Sequence, residues 1–185
     1  MQFAKRGVPP SLRARVYKKI LYAEVGQKDL DYYAQTTEVA SKWETALDDL
    51  INADIFETCN DDKYFIFQDM MEACIHFFFR DKQVWDQLKC KPNAPIAAVG
   101  PNDRPIGFFP PCGVLPVQHF SRTFAPFCYI STSKEEAYFI YRSFFTKYQC
   151  YLLSISSHPH SILSLSKLFE DLLQMYEPDV FYHLS

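Results

Sequence analysis

The stretch Ile51-Asn52-Ala53-Asp54-Ile55-Phe56-Glu57-Thr58, running into the polar break Cys59-Asn60-Asp61-Asp62, decides how this chain is read. It closes a segment in which Val39, Trp43, Leu47, Leu50 and Ile51 recur at steps of three and four. That spacing is the mark of a core-facing helical stripe. Within the stretch, Ile51, Ile55 and Phe56 are expected to grip the core. Asp54, Glu57 and Thr58 are expected to point outward, giving the helix an acidic end.

The same periodicity extends in both directions. Upstream, a helix is expected from Ser11, as cap, to about Val25, with Leu12, Val16, Ile20 and Leu21 on one face and Gly26 as its stop. Lys28 to Tyr33 then reads as a linker before a helix over 36–56. Downstream, Tyr64, Phe67, Met71, Cys74, Ile75 and Phe78 predict a deeply buried helix over 63–80. Between Pro92 and Pro116 lie seven of the twelve prolines and three of the five glycines, a density no helix survives. A Pro-rich loop or insertion is therefore expected over about 88–116, with a short extended piece at Ile106 to Phe109. Helical patterning resumes over 117–130, where Pro126 is expected to kink or end the helix. Ser133-Lys134-Glu135-Glu136 is a capping box opening a helix with Ala137, Ile140, Tyr141, Phe144 and Phe145 inward, ending near Cys150. A last helix over 161–176 carries Ile162, Leu165, Phe169, Leu172 and Met175 and stops before Pro178. No alternating run reads as a strand, and no internal repeat is visible. The expected fold is all-α, in a single domain over 1–185.

Composition narrows the function classes. A chain of 185 residues with 48% hydrophobic and 22% charged content is long enough for a sizeable core and is not of the disordered type. Seventeen Phe and twelve Tyr favour thick helix-on-helix packing, with some aromatics available to a partner. A net charge of −3 offers no basic footprint for nucleic acid. Nothing reaches the roughly 18 apolar residues of a membrane span, and no secretory signal is visible. The six cysteines lie far apart without a C-x-x-C pair, which reads as reduced thiols in a cytoplasmic protein.

Common catalytic signatures are missing. There is no G-x-x-x-x-G-K-[ST] loop to hold a nucleoside triphosphate, no H-E-x-x-H and no G-x-S-x-G. His76 stands alone on its helix, and His158-Pro159-His160 is too short and isolated for a zinc site. The sequence therefore predicts no metal site and no cofactor.

Three ordered stretches remain. They are Arg6-Gly7-Val8-Pro9-x-x-Leu12-Arg13-x-x-Val16-Tyr17, then Ile51-x-x-Asp54-x-x-Glu57-Thr58, then Pro116-Val117-Gln118-His119-Phe120-Ser121 followed by Glu135-Glu136-Ala137-Tyr138-Phe139. Together they resemble the TBC domain, the all-helical catalytic domain of Rab GTPase-activating proteins. That family shows R/K-G-[IV]-P-x-x-L-R-x-x-V-W, then I-x-x-D-x-x-R-T, then Y-x-Q-G-M-N. The closing pattern around Leu168, Phe169, Leu172, Pro178, Tyr182, His183 and Leu184 is similar to the family's middle section. The resemblance runs from Arg6 to the end of the chain and there stops, which implies a partial domain.

The resemblance implies a regulator of GTP-bound Rab-family small GTPases in vesicle trafficking. It also implies a cytoplasmic place, peripheral to trafficking membranes through partners, with no membrane insertion. In the family an arginine neutralises charge on the transferring phosphoryl group and a glutamine orients the attacking water. An arginine finger contributes roughly 10³–10⁵ in rate, or about 4–7 kcal/mol of barrier. Here Gln118 matches the glutamine, Asp54 the aspartate and Thr58 the threonine, but Glu57 occupies the arginine position. Pro116 and His119 stand where the family has tyrosine and glycine. Glu57 alternatively reads as a solvated helix-end acid, and Gln118 as a polar surface residue. Arg122, one helical turn after Gln118, reads as half of a surface ion pair, with supply of the missing cation as the alternative. Three readings thus stay open: a GTPase activator with a degenerate motif, a catalytically inactive Rab-binding or scaffold module, and a helical interaction domain whose motif matches are accidental.

Overall fold

The computed structural model describes residues 7–40, 42, 44–93, 96–99, 105–153 and 155–184. Ten α-helices lie among them: α1 (Pro10–Leu21), α2 (Gln27–Ala40), α3 (Asp48–Cys59), α4 (Gln68–Arg80), α5 (Lys82–Gln87), α6 (Phe120–Ile130), α7 (Lys134–Phe144), α8 (Cys150–Leu153), α9 (Ile162–Tyr176) and α10 (Pro178–Leu184). A π-helical turn, Phe145–Gln149, joins α7 to α8. The fold is all-α, as expected, with one small addition. The Pro-rich loop contains an antiparallel hairpin of β1 (Ile96–Val99) and β2 (Pro105–Phe109), with Ile96 opposite Phe109 and Ala98 opposite Gly107. The expected extended piece is β2, and β1 supplies the ladder partner it requires. No helix among the described residues is long and apolar enough to cross a membrane.

Helix α4 is the centre of the molecule, packed by α2, α3, α6 and α7. Its run Phe77-Phe78-Phe79 is buried throughout, because neighbours cover nearly the whole circumference of the helix. Tyr33 of α2 stacks on Phe77 at 4.3 Å between ring centroids, while Phe78 meets Phe120, Tyr141 and Phe145 at tilted or edge angles. Of the inward faces expected here, Met71, Cys74, Ile75 and Phe78 of α4, Ala137, Ile140 and Tyr141 of α7 and Phe145 of the π-helical turn are at most 2% exposed, whereas Tyr64, Phe67 and Phe144 are only partly buried. All six cysteines are free and buried. Burial pushes the Cys74 and Cys112 thiols up strongly and Cys128 up to about 12.

One buried charge is neutralised within this core. Asp81, fully buried, accepts from Tyr32 at 2.7 Å, Arg142 at 3.1 Å, the Gln83 amide at 2.8 Å and Tyr138. Four donors around one carboxylate offset the cost of taking it out of water. The same Asp81–Gln83 bond caps the N-terminus of α5.

Helix boundaries depart from the sequence reading where local hydrogen bonds win. The helix expected over 36–56 is two helices. Asp48 takes the Thr45 amide and hydroxyl, each at 2.8 Å, and pairs with Arg80 at 2.6 Å, fixing a turn before α3. Lys28 to Tyr33 is accordingly helical, and Trp43 lies outside the described residues. Helix α1 stops at Leu21 through a left-handed Tyr22, whereas Gly26 offers its carbonyl to the amides of Asp29 and Leu30 and so begins α2. Helix α4 starts at Gln68, after a turn at Asp61 and a 3₁₀ turn at Phe65–Phe67. Pro126 sits inside α6 without ending it. Ser133 caps α7 as expected, but the Glu136 carboxylate reaches the Thr132 amide and Lys18. Helix α10 was not expected, and on α9 the residues Ile162, Leu165, Phe169, Leu172 and Met175 are exposed.

Candidate functional site

The opening stretch forms most of α3, and its two expected faces need correction. Ile51 and Ile55 are buried, but Phe56 is 63% exposed and Thr58 is fully buried. At about 100° per residue, positions 51, 55, 58 and 59 share one stripe, while 56 lies well outside it. The hydroxyl of Thr58 tolerates burial because Ser121 meets it at 2.6 Å. Since Ser121 Oγ donates to the Asp54 carbonyl at 2.9 Å, its single proton is used, and Thr58 donates to Ser121.

Asp54 holds this corner together. Its two carboxylate oxygens accept the His119 amide at 2.5 Å and the Ser121 amide at 2.8 Å. These are the N-cap and second residues of α6, whose own N-cap side chain makes no capping bond. Asp54 therefore caps α6 from another helix, placing a negative charge at the positive end of its dipole. The cap also fixes the turn that presents Gln118. His119 adopts left-handed backbone, φ 66°, at the position where the resembled motif carries glycine.

A pocket of about 370 Å³ opens between α3 and this turn, lined in part by Leu50, Asp54, Glu57, Pro116, Val117 and Gln118. Its floor is apolar, formed by Ile75, Phe79 and Phe120. Gln118 is exposed, and its amide makes no hydrogen bond among the described residues. The Glu57 carboxylate, half exposed, stands 3.8 Å from His119 Nδ1. So Asp54, Glu57 and Gln118 converge on one open space, with buried Thr58 supporting it from beneath. Arg122 does not join them. Gln118 lies in the turn before α6 and not on the helix, so the one-turn relation fails. Arg122 is exposed on α6, outside the pocket lining, and forms no ion pair among the described residues.

Sequence reasoning missed the support beneath the site. Ser121 binds both Thr58 and Asp54, and His119 meets Glu57, across chain separations that no spacing rule addresses. No local signal marks Ser121, which stands in the polar run Ser121-Arg122-Thr123 near the start of the helical pattern over 117–130.

Over 189 aligned residues the chain is 35% identical to TBC1 domain family member 19 of Homo sapiens. The match covers 99% of this chain and 36% of that relative, so the chain spans about a third of its relative's length. This kinship bears out the TBC resemblance read from the three motifs. No family model matches the sequence, and no solved structure matches it.

Proposed function

From a kinship that runs along 99% of this chain to a TBC1 domain family member, we infer a TBC-type domain and propose that it regulates Rab-family small GTPases in membrane trafficking. It engages the GTP-bound partner from outside, through the pocket between α3 and the turn before α6, and holds no nucleotide of its own. It works in the cytoplasm and reaches trafficking membranes through its partners.

The observation that supports this reading is the convergence of Gln118 and Glu57 on one open pocket. An unengaged carboxamide at the rim of a pocket suits orientation of a water molecule, by donating to or accepting from it. Glu57 sets the limit. A carboxylate beside a phosphoryl group repels where an arginine attracts, so the domain forgoes the arginine's contribution. Any stimulation it gives is the part carried by Gln118 and by positioning.

A second reading has its own support. Glu57 lines the very pocket that the partner's phosphates would approach, which favours a module that binds a Rab without accelerating hydrolysis. Single-turnover GTP hydrolysis on a panel of GTP-loaded Rab proteins, with this chain in excess, separates the two. Stimulation lost in Gln118→Ala and raised at least tenfold in Glu57→Arg supports an activator with a degenerate motif. Binding without stimulation across the panel supports the inactive module. Neither binding nor stimulation on any member overturns both.

A further inference from the structure

We propose that Asp54, Glu57 and His119 form a binding site for a divalent transition-metal ion of the Zn²⁺ class. One ligand atom from each side chain lies within 4.8 Å of the other two. The donors are one imidazole nitrogen and two carboxylate oxygens, a set that suits Zn²⁺ and leaves a coordination position for water or an incoming anion.

Three features make this set more than an acidic surface. First, the ligands stand on fixed backbone. Asp54 and Glu57 are three residues apart on α3 and share a face. His119 is held by the hydrogen bond its backbone amide donates to Asp54, 2.5 Å long. Second, Asp54 is oriented by the bonds its carboxylate accepts from His119 and Ser121, the kind of outer support that metal ligands use. A carboxylate has about four acceptor positions, so two amide bonds leave others for an ion. Third, Glu57 and His119 are two of the positions at which the chain departs from the motif it resembles, and the fold sets them side by side at 3.8 Å. A tetrahedral site with bonds of about 2 Å needs donors roughly 3–3.5 Å apart. Closing that difference falls to the side chains of Glu57 and His119, both half exposed.

The ion changes the character of the pocket. Two carboxylates at its rim repel an anion; with a divalent cation between them the rim is neutral and offers an open coordination position to an oxyanion. On the reading proposed above, that cancels the repulsion which the Asp54 and Glu57 carboxylates present to a phosphate. This consequence rests on that reading, whereas the metal site stands on its own geometry.

The test is calorimetric titration of the isolated, chelator-stripped chain with ZnCl₂ under reducing conditions, paired with Co²⁺ absorption spectra. One ion per chain is expected, with the dissociation constant raised at least tenfold in Glu57→Gln and in His119→Gly and unchanged in His160→Ala. The Co²⁺ spectrum is expected to lack sulfur-to-metal charge transfer. Circular dichroism confirms that each variant keeps its helices. The proposal is overturned by an absence of saturable binding, by undiminished binding in Glu57→Gln or His119→Gly, or by a thiolate signature in the Co²⁺ spectrum. No GTPase is present in this titration. Its failure therefore leaves the Rab reading standing, and failure of the hydrolysis assay leaves the metal site standing.

Discussion

Removing the carboxylate of Asp54 tests whether α6 is capped from α3. In Asp54→Ala the hydrogen bonds donated by the His119 and Ser121 amides, at 2.5 and 2.8 Å, are both lost. The His119 amide lies at an exposed turn and finds water, so its loss costs little. The amide of Ser121, a residue with no exposed surface, has no such recourse. An orphaned buried donor costs about 1–3 kcal/mol, and loss of an ordinary N-cap about 1 kcal/mol. The expected destabilisation is therefore about 2–3 kcal/mol. Asp54→Asn should recover little of it, because its NH₂ group must face one of the two amide donors. Urea unfolding followed by circular dichroism, with EDTA present so that no metal contributes, measures the effect. With a slope of about 2 kcal/mol/M, the midpoint should fall by about 1 M. A loss below about 0.5 kcal/mol in Asp54→Ala, or wild-type stability in Asp54→Asn, refutes capping across the two helices.

Other outcomes follow from single positions. His119→Gly relieves left-handed backbone worth about 1–2 kcal/mol, less glycine's added unfolded-state entropy; urea unfolding should show a net gain of about 0.5 kcal/mol. Gly113→Ala should cost about 2–4 kcal/mol on the same assay, since Gly113 has φ 72° and an added Cβ would lie 2.1 Å from the Trp85 ring. Burial acts to raise the Asp48 carboxyl, but hydrogen bonds from Arg80 and Thr45 outweigh it and hold the group down at about 2. A depressed folded pKa gives stability that is complete above the unfolded value near 4 and lost as pH falls toward 2. The wild-type chain should thus lose about 2 kcal/mol more than Asp48→Asn between pH 5 and pH 2. Equal losses in the two proteins, measured by urea titration at each pH, would sink that assignment.

What the sequence made legible was periodicity and local chemistry. The stripes of α4 and α7 could be read because their apolar residues repeat at three and four, and Ser133 announced its cap three residues ahead of Glu136. Pairings across distant chain segments could not be read. Thr58 looks like an outward polar residue until Ser121 arrives beside it, and Phe56 looks like core until the stripe is drawn through Ile51, Ile55 and Cys59. Asp81 is one acid at a helix junction in the sequence; only the fold gathers Tyr32, Tyr138 and Arg142 around it. The site follows the same rule. Motif positions named Gln118, Asp54 and Glu57, but their convergence depends on a cap between α3 and α6, and the meeting of His119 with Glu57 depends on the same cap.

The six sequestered thiols give the chain a record of its own opening. A thiolate reacts with an alkylating tag and a thiol hardly does, so Cys59, Cys74, Cys112, Cys128 and Cys150, covered and held protonated, stay silent while their surroundings are closed. Tag uptake then follows exposure, position by position. Cys59 marks the end of α3, Cys74 the middle of α4, Cys128 the end of α6 and Cys150 the start of α8. Timed labelling and peptide mass mapping on the unaltered protein would therefore read out the order in which these helices come apart. Loss of the Asp54 cap should bring Cys128 forward in that order.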